Sequence, residues 1–236
     1  MDHFNITQVF GIHNAPDARQ GTFHTNKGAL MAAANTVYIQ INGSGDHVAQ
    51  PEDTRDPLIA GVALVQAFLT IQSRNLGGLN RAVISLGAFV SGTANNFIPG
   101  SASISGTVRT FETDIQAKVA ARMKAICEGI ATSFDVAVDM VYEYGYPPTV
   151  NDPEKALLAA EVSKSVVGES HVENDTKPIF PAEDFADMLR ERPGAYLFIG
   201  QSHSAPVHHP EYDFNDEITP IGASFFATLI QTVHPR

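Results

Sequence analysis

The sequence contains nine histidines, and His13 occupies a position where an imidazole could do chemistry. It follows the short apolar run 9–12 and precedes Pro16, a pattern that predicts a buried strand ending in a turn. Sites in open α/β sheets gather at the carboxyl ends of strands, so His13 is a candidate site residue. A hydrogen-bonded core histidine is the plainer interpretation of the same position.

A second candidate lies near the C-terminus, where His208 and His209 precede Pro210. Histidine binds transition metals, and carboxylates orient such ligands. Adjacent side chains point in different directions, so at most one of the two histidines faces a site. A solvated acidic loop is the alternative. The surrounding carboxylates are Glu211, Asp213, Asp216 and Glu217.

Three polar residues stand out in the central part of the chain. His47 ends the glycine-rich run 43–47, where a surface-loop histidine is the alternative. Asn96 precedes a predicted strand and could donate an amide hydrogen bond to a carbonyl, or simply form a turn. Arg109 is the one long charged side chain on the polar face of that strand. It could hold a carboxylate through two parallel bonds, or be an ordinary exposed sheet residue.

The elements that would position these central residues alternate in a clear order. Period-two and period-3.6 patterns predict a β-α-β-β-α-β succession. That succession is typical of a ferredoxin-like domain, in which two helices cover one face of a four-stranded antiparallel sheet. The predicted elements are strands at 36–41, 82–90, 101–111 and 136–142 and helices at 57–74 and 114–134.

The flanking segments predict a different architecture, a layered α/β domain. An apolar strand covers 9–12 and another covers 195–199, and a helix follows Asp152 and Pro153, which suit a cap and a first turn. A further helix is predicted over 216–233. The fold class is therefore α/β, a domain formed by 1–35 and 147–236 that is interrupted by an inserted α+β domain over 36–146.

Composition excludes several function classes. Against 15 Lys and Arg stand 26 Asp and Glu, a net charge of −11, which argues against a nucleic-acid partner. Cys127 is the single cysteine, so no disulfide framework is expected. No apolar run approaches the roughly 18 residues of a membrane span. The N-terminus lacks the pattern of a signal peptide, and a cytoplasmic protein is expected.

Eight short motifs, taken in order, resemble the dinuclear-metal amidohydrolases of the aminoacylase and carboxypeptidase superfamily. The closest branch is the one that includes hippurate hydrolase and indole-acetyl-amino-acid hydrolases, and the resemblance covers essentially the whole chain. The motifs are Gly11–Asn14, Gly43–His47, Asn96–Pro99, Gly106–Phe111, Gly145–Asp152, Ala182–Phe185, Arg192–Tyr196 and His208–Glu217.

The resemblance implies an architecture and a set of roles. It implies a metallopeptidase-like α/β catalytic domain, here partial, interrupted by a ferredoxin-like lid domain that forms a homodimer. His13 and His208 correspond to metal ligands, and His47 corresponds to a lid histidine that stabilises the oxyanion in the partner subunit's site. Asn96 and Arg109 correspond to residues that hold the carbonyl and the carboxylate of the substrate.

The implied reaction is cleavage of the amide bond of N-acyl amino acids at two divalent metal ions. Zn, Mn, Co and Ni are all compatible with such ligands. The family's Cys-x-His and Glu-Glu ligands, which lie upstream of the histidine motif, are absent from this sequence. The first hypothesis is therefore a C-terminal portion of an amidohydrolase that is inactive alone. The alternative is a non-catalytic dimerising module or a decayed gene product.

Overall fold

The computed structural model describes residues 1–78, 81–202 and 204–235. The chain divides into two compact units. The first unit comprises Met1–Met31, Thr149–Ile179 and Glu183–Arg236, and the second comprises Ala32–Pro148 with Phe180–Ala182. The second unit is thus an insertion between sequence segments of the first.

The described residues form ten strands and five α-helices, joined by turns and loops. The strands are β1 (Val9–Ala15), β2 (Phe23–His24), β3 (Ala29–Met31), β4 (Asn35–Asn42), β5 (Ala82–Ser91), β6 (Ser101–Thr110), β7 (Ala137–Tyr144), β8 (Thr149–Val150), β9 (Val172–Glu173) and β10 (Gly194–Gly200). The helices are α1 (Pro57–Thr70), α2 (Thr113–Phe134), α3 (Pro153–Val167), α4 (Phe185–Glu191) and α5 (Thr219–Val233).

The first unit is built on a mixed sheet with strand order β1-β10-β2-β9. β1 and β10 run parallel over seven residue pairs, from Val9 opposite Gly194 to Ala15 opposite Gly200. Every residue of β10 is buried, which matches its all-apolar sequence. The parallel pairing brings the carboxyl ends of both strands to one edge of the sheet, so the residues that follow them are neighbours.

Packing on this sheet follows from the capping and amphipathic patterns of the helices. Asp152 caps α3, its carboxylate accepting hydrogen bonds from the Glu154 and Lys155 amides, and Pro153 occupies the first turn. Phe225 and Leu229 of α5 enter the same core as β10. The segment 216–218, predicted as α-helix, is a 3₁₀ turn, and α5 begins at Thr219.

The second unit has the element order β4-α1-β5-β6-α2-β7 and a four-stranded sheet with strand order β5-β6-β4-β7. Every pairing in this sheet is antiparallel. Along β6 the buried residues alternate with polar ones, so Ile104 and Val108 face the core while Arg109 lies on the opposite face. Because the core of this unit is apolar, the opposite face carries most of its polar sheet residues.

The helices of the second unit supply the rest of its core. Asp56 caps α1 through the Leu58 and Ile59 amides. Leu64 and Phe68 of α1 are fully buried. Ile115, Val119, Met123 and Ile126, spaced by three or four residues, bury one stripe of α2.

One helix departs from the expectation that no apolar run approaches the length of a membrane span. Pro57–Asn75, which joins α1 to a π-helical turn, is long and apolar enough to cross a bilayer by length and composition alone. About a third of its most apolar window, 33%, is buried. A single helix of this kind is weak support for a span, since core helices meet the same criterion, and Leu64, Phe68 and Ile71 account for part of its hydropathy by packing into the core.

Candidate functional site

His13 lies in the last part of β1 with its imidazole oriented by the backbone. Its Nδ1 is 2.7 Å from the carbonyl oxygen of Asn14. A carbonyl only accepts hydrogen bonds, so in a neutral His13 the proton is on Nδ1 and Nε2 keeps its lone pair. The ring lies beside the rings of Tyr196 and Phe198, with centroids 6.4 and 6.2 Å away. This is the tautomer and orientation that a metal-binding histidine needs.

The predicted second ligand lies on the loop that follows β10, which we call the closing loop (residues 204–217). His208 is exposed and has a left-handed backbone with φ of 70°. Its neighbour His209 differs, because the Glu211 amide donates to His209 Nδ1 at 3.1 Å. A neutral His209 therefore carries its proton on Nε2, and neither ring nitrogen is free to bind a metal. Of the two histidines, the geometry favours His208.

The closing loop is attached to the end of β1 by side chains. Asn14 donates to the Tyr212 hydroxyl at 2.7 Å and to Gln201 Oε1 at 3.1 Å. Gln201 Nε2 in turn donates to the carbonyl oxygen of Asp213 at 3.0 Å. The end of β1, which carries His13, and the closing loop, which carries His208, are thus joined through hydrogen bonds within the first unit.

A carboxylate also faces the His13 region. Glu183 accepts hydrogen bonds from the Tyr196 hydroxyl at 2.7 Å and from the Phe185 amide at 3.2 Å. Burial raises the pKa of Glu183, but these hydrogen bonds, one to Asp184 and the charge of His13 lower it overall. Burial and the neighbouring Glu183 both raise the pKa of Tyr196, which stays protonated and donates.

The described residues do not form a metal site by themselves. Among 1–78, 81–202 and 204–235 there is no group of three or more His, Cys, Asp and Glu side chains placed to hold an ion. A zinc-type site needs roughly four ligands. His13 and His208 are suitable in kind, but the donor set among these described residues is too small for two metals.

In the second unit, the structure brings His47 and Asn96 onto neighbouring loops. His47 pairs with Phe97 in an antiparallel bridge, and the Ile98 amide donates to the Asp46 carbonyl at 2.8 Å. The Ala49 amide donates to His47 Nδ1 at 3.1 Å. A neutral His47 therefore presents an Nε2–H, which is a donor suited to an oxyanion.

Arg109 does not join His47 and Asn96. It lies near the end of β6, opposite Val83 of β5, whereas the Asn96 loop enters the start of the same strand at Ser101. Eight residue steps separate Ser101 from Arg109, which is about 26 Å at roughly 3.3 Å per residue. Within one copy of the chain, Arg109 and the two loop residues lie at opposite ends of the sheet.

Comparison with known proteins places the chain in a family. The model of Peptidase family M20/M25/M40 matches residues 1–232. The chain belongs to this family. Its fold, a mixed α/β fold, superposes on that of M20 structures, among them a Bacillus subtilis protein described as a dinuclear metal binding peptidase, with a TM-score of 0.81, 26% identity and coverage of 98% of this chain and 59% of that one.

Curated M20 relatives point to amide substrates. Hippurate hydrolase of Campylobacter jejuni is 34% identical over 229 residues, 97% of this chain and 60% of the relative. N-acetylcysteine deacetylase of Bacillus subtilis is 31% identical over 224 residues, 95% of this chain and 58% of the relative. The chain therefore spans about three fifths of the length of these relatives.

The sequence motifs contained residues whose contacts near the end of β1 and near His13 were not anticipated. Asn14, Tyr212 and Glu183 lie inside motifs that carried the resemblance, but none of them was given a role. Gln201 was overlooked because a glutamine after an apolar strand has no distinctive spacing. Its position directly after β10, at the sheet edge that also holds His13, was the one available signal.

Proposed function

We propose that this chain is the C-terminal part of a metal-dependent amidohydrolase that cleaves N-acyl amino acids, either hippurate-like or N-acetylated. The observation that carries the proposal is the end of β1. There the Nδ1 contact of a neutral His13 leaves the lone pair on Nε2, at the sheet edge to which the loop of His208 is attached. Membership of the M20 family and the amide substrates of its curated relatives support the reaction class.

His13 and His208 would each contribute one imidazole to a pair of divalent ions, which could be Zn, Mn, Co or Ni. The remaining ligands would come from residues that this sequence does not contain, a Cys-x-His pair and a Glu-Glu pair. Because two histidines are too few for two metals, we expect the 236-residue chain to have little or no hydrolase activity alone.

The second unit would act on the substrate. His47, through its Nε2–H, and Asn96 would donate hydrogen bonds to the substrate's carbonyl oxygen as charge develops on it. Arg109 would hold the substrate's carboxylate with two parallel hydrogen bonds. Since Arg109 lies at the other end of β6, one copy would supply the two loop residues and a second copy the arginine.

Such a shared site requires a homodimer, and we propose that the second unit is an inserted ferredoxin-like lid, within 36–146, that forms it. Its edge strand β5 and helix α1 offer an apolar surface, which we call the α1–β5 surface. Large exposed apolar side chains of this kind mark interaction sites. They are Ile59, Val62, Leu69, Phe89 and Val90. We further propose a cytoplasmic protein, with no nucleic-acid or membrane partner.

The test of the reaction compares two proteins. The 236-residue chain and the same chain continued by its upstream coding sequence are dialysed, analysed for metal and assayed on N-acetyl and N-benzoyl amino acids. We expect about two metals and turnover only from the longer protein, and loss of both in its His13→Ala variant. Turnover by the shorter chain would contradict its inactivity, and no turnover by the longer protein would overturn the amidohydrolase proposal.

The dimer is tested with two matched leucine substitutions. Leu69→Arg places a charge in the α1–β5 surface, at a side chain that is 60% exposed, whereas Leu157→Arg changes a 40% exposed leucine of α3 in the first unit. Sedimentation velocity should show a dimer for the wild type and for Leu157→Arg, and a monomer for Leu69→Arg. A monomeric wild-type chain would contradict the proposal.

A second function is favoured by the incomplete donor set of the described residues. The chain would then be a non-catalytic dimerising module, or a decayed gene product, that keeps the lid surface. It predicts a stable dimer with no bound metal and no hydrolase activity in any longer product. The metal and activity assay of the two proteins and the sedimentation of the leucine variants distinguish this function from the amidohydrolase.

A further inference from the structure

Gln201 is the buried centre of the polar network at the end of β1. It is 2% exposed, the first residue after β10, and its backbone amide donates to the Ala15 carbonyl at 3.1 Å. Its side-chain oxygen accepts from Asn14 at 3.1 Å and from the Tyr212 hydroxyl at 3.3 Å. Its side-chain nitrogen donates to the Asp213 carbonyl at 3.0 Å.

Among the described residues, Ser204 and Asn215 also make hydrogen bonds at the base of the closing loop. Ser204 Oγ donates to the Asp213 carbonyl at 3.1 Å and accepts from the Asp213 amide at 3.3 Å. Asn215 donates its side-chain amide to the Gln201 carbonyl at 3.0 Å. The same two residues, Gln201 and Asp213, therefore recur in the contacts that close the loop.

Two residues in this region have unfavourable backbone conformations. Ser202 and His208 both have positive φ, 74° and 70°, although neither is glycine. Such conformations persist only where surrounding contacts over-determine them, and they concentrate at functional sites. Since Gln201 directly precedes Ser202, its buried hydrogen bonds are well placed to hold the first of these conformations.

An amide is the group that fits this position. The side chain must accept two hydrogen bonds on one atom and donate one from the other. A carboxylate accepts but cannot donate to the Asp213 carbonyl, and an aliphatic side chain does neither. The buried position makes an unmatched partner costly.

We propose that Gln201 is a positioning residue that holds the two candidate metal histidines in place relative to each other. It holds the closing loop that carries His208 on Asn14, whose backbone carbonyl orients the His13 ring. The proposal deepens the proposed function, and it rests on that function for the roles of His13 and His208.

The loop is tested on the full chain by peptide-resolved hydrogen exchange. Gln201→Leu should raise exchange across 204–217 about tenfold or more, because the buried partners lose their hydrogen bonds. Gln20→Leu is the matched control. Gln20 is exposed and donates to Glu217 at 2.6 Å, at the end of the same loop, and its loss should change exchange less than about twofold.

The histidines are read by the ¹⁵N signals of their imidazoles, which report tautomer and hydrogen bonding. In Gln201→Leu we expect His13 to lose the ¹⁵N chemical shifts that are typical of a hydrogen-bonded Nδ1–H. We expect the two ring nitrogens of His208 to show shifts averaged over several ring environments. Gln201→Glu separates the two bonds, because it keeps the acceptor for Asn14 and loses the donor to Asp213. It should leave His13 unchanged while loosening the loop.

If Gln201→Leu fails to fold, Tyr212→Phe removes one hydroxyl of the network and should produce the same changes at smaller amplitude. Unchanged loop exchange and unchanged imidazole signals in a folded Gln201→Leu or Tyr212→Phe protein would overturn the proposal. None of these readouts needs a metal. Absence of metal and of turnover in the longer protein would thus count against the proposed function, while the positioning role is judged separately.

Discussion

The two units hold their candidate residues in different ways. In the first, His13 and the closing loop are joined by side-chain hydrogen bonds through Asn14, Gln201 and Tyr212. In the second, the loops of His47 and Asn96 are joined by backbone hydrogen bonds, and both side chains are exposed. A side-chain network can be broken by one substitution, whereas a backbone pairing keeps its shape when side chains change.

The cores of the two units also differ in how much they depend on hydrogen bonds between side chains and backbone. The core of the second unit is apolar and is filled by α1, α2 and one face of the sheet. The first unit has an apolar core as well, but its β10 is also surrounded by buried amides, Asn151 and Gln201. We therefore expect the second unit to respond most to lost volume and the first to lost hydrogen bonds.

The largest expected effect is in the apolar core. Leu64→Ala removes a fully buried side chain of α1 and should lower the free energy of unfolding by about 4 kcal/mol. Peptide-resolved hydrogen exchange across β4 to β7 measures this loss in the free energy of unfolding. Leu157→Ala, at a 40% exposed leucine, should cost less than about 1 kcal/mol. Equal losses would contradict the burial argument.

Asn151→Leu probes the polar core of the first unit. Asn151 donates to Thr25 Oγ1 at 3.1 Å and to the Tyr196 carbonyl at 3.0 Å, and it accepts from the Tyr196 amide at 2.7 Å. Leucine removes all of these bonds and leaves the buried Tyr196 amide without its acceptor, so the free energy of unfolding should fall by about 3 kcal/mol. Asn42→Leu, at an exposed asparagine, is the control and should change it by less than about 0.5 kcal/mol.

Cys127 reports opening of the second unit. Burial, with the charge of Glu128, raises the pKa of this thiol to about 11 from 9.0. Two pH units correspond to about a hundredfold less thiolate near pH 8, so iodoacetamide should modify the folded chain at most at about a hundredth of the unfolded rate. Equal rates in buffer and in urea would show that the thiol is accessible.

The same shift has a consequence for stability at alkaline pH. Because the pKa of Cys127 is raised on folding, its contribution is fully present below about pH 9 and is lost as pH rises toward 11. Cys127→Ala should therefore remove part of the alkaline destabilisation seen in urea titrations between those pH values.

The smallest expected effect is at His47. Its loop is held by the bridge to Phe97 and by the Ile98 amide, neither of which uses the imidazole. His47→Ala should therefore change the free energy of unfolding by less than about 0.5 kcal/mol. Tyr212→Phe, which removes one hydrogen-bonded hydroxyl from the first unit, should cost about 1 kcal/mol. A larger loss in His47→Ala would contradict the contrast between the two units.

Much of the fold could be predicted because its patterns are local. The stripe of Ile115, Val119, Met123 and Ile126 marks α2, and Asp152 with Pro153 marks the start of α3. The two-residue strands β2 and β9 could not be predicted, since they exist only through pairing with each other and with β10. The 3₁₀ turn before α5 has a different, local cause, because the Asn215 side chain caps it by accepting a hydrogen bond from the Glu217 amide.

The same distinction between local patterns and tertiary contacts applies to the candidate site. Residue types and motif order in the sequence determined the family, the likeness to its amidohydrolases and the identity of His13, His208, His47, Asn96 and Arg109 as candidates. Only the tertiary structure decided which imidazole nitrogen of His13 contacts the Asn14 carbonyl, and that Arg109 lies far along β6 from Asn96. It also placed Gln201 in contact with Asn14 at the end of β1, although 187 positions separate the two residues in the sequence. Side-chain patterning is a property of neighbours along the chain, whereas tautomer, burial and hydrogen-bond partner depend on residues that folding alone brings together.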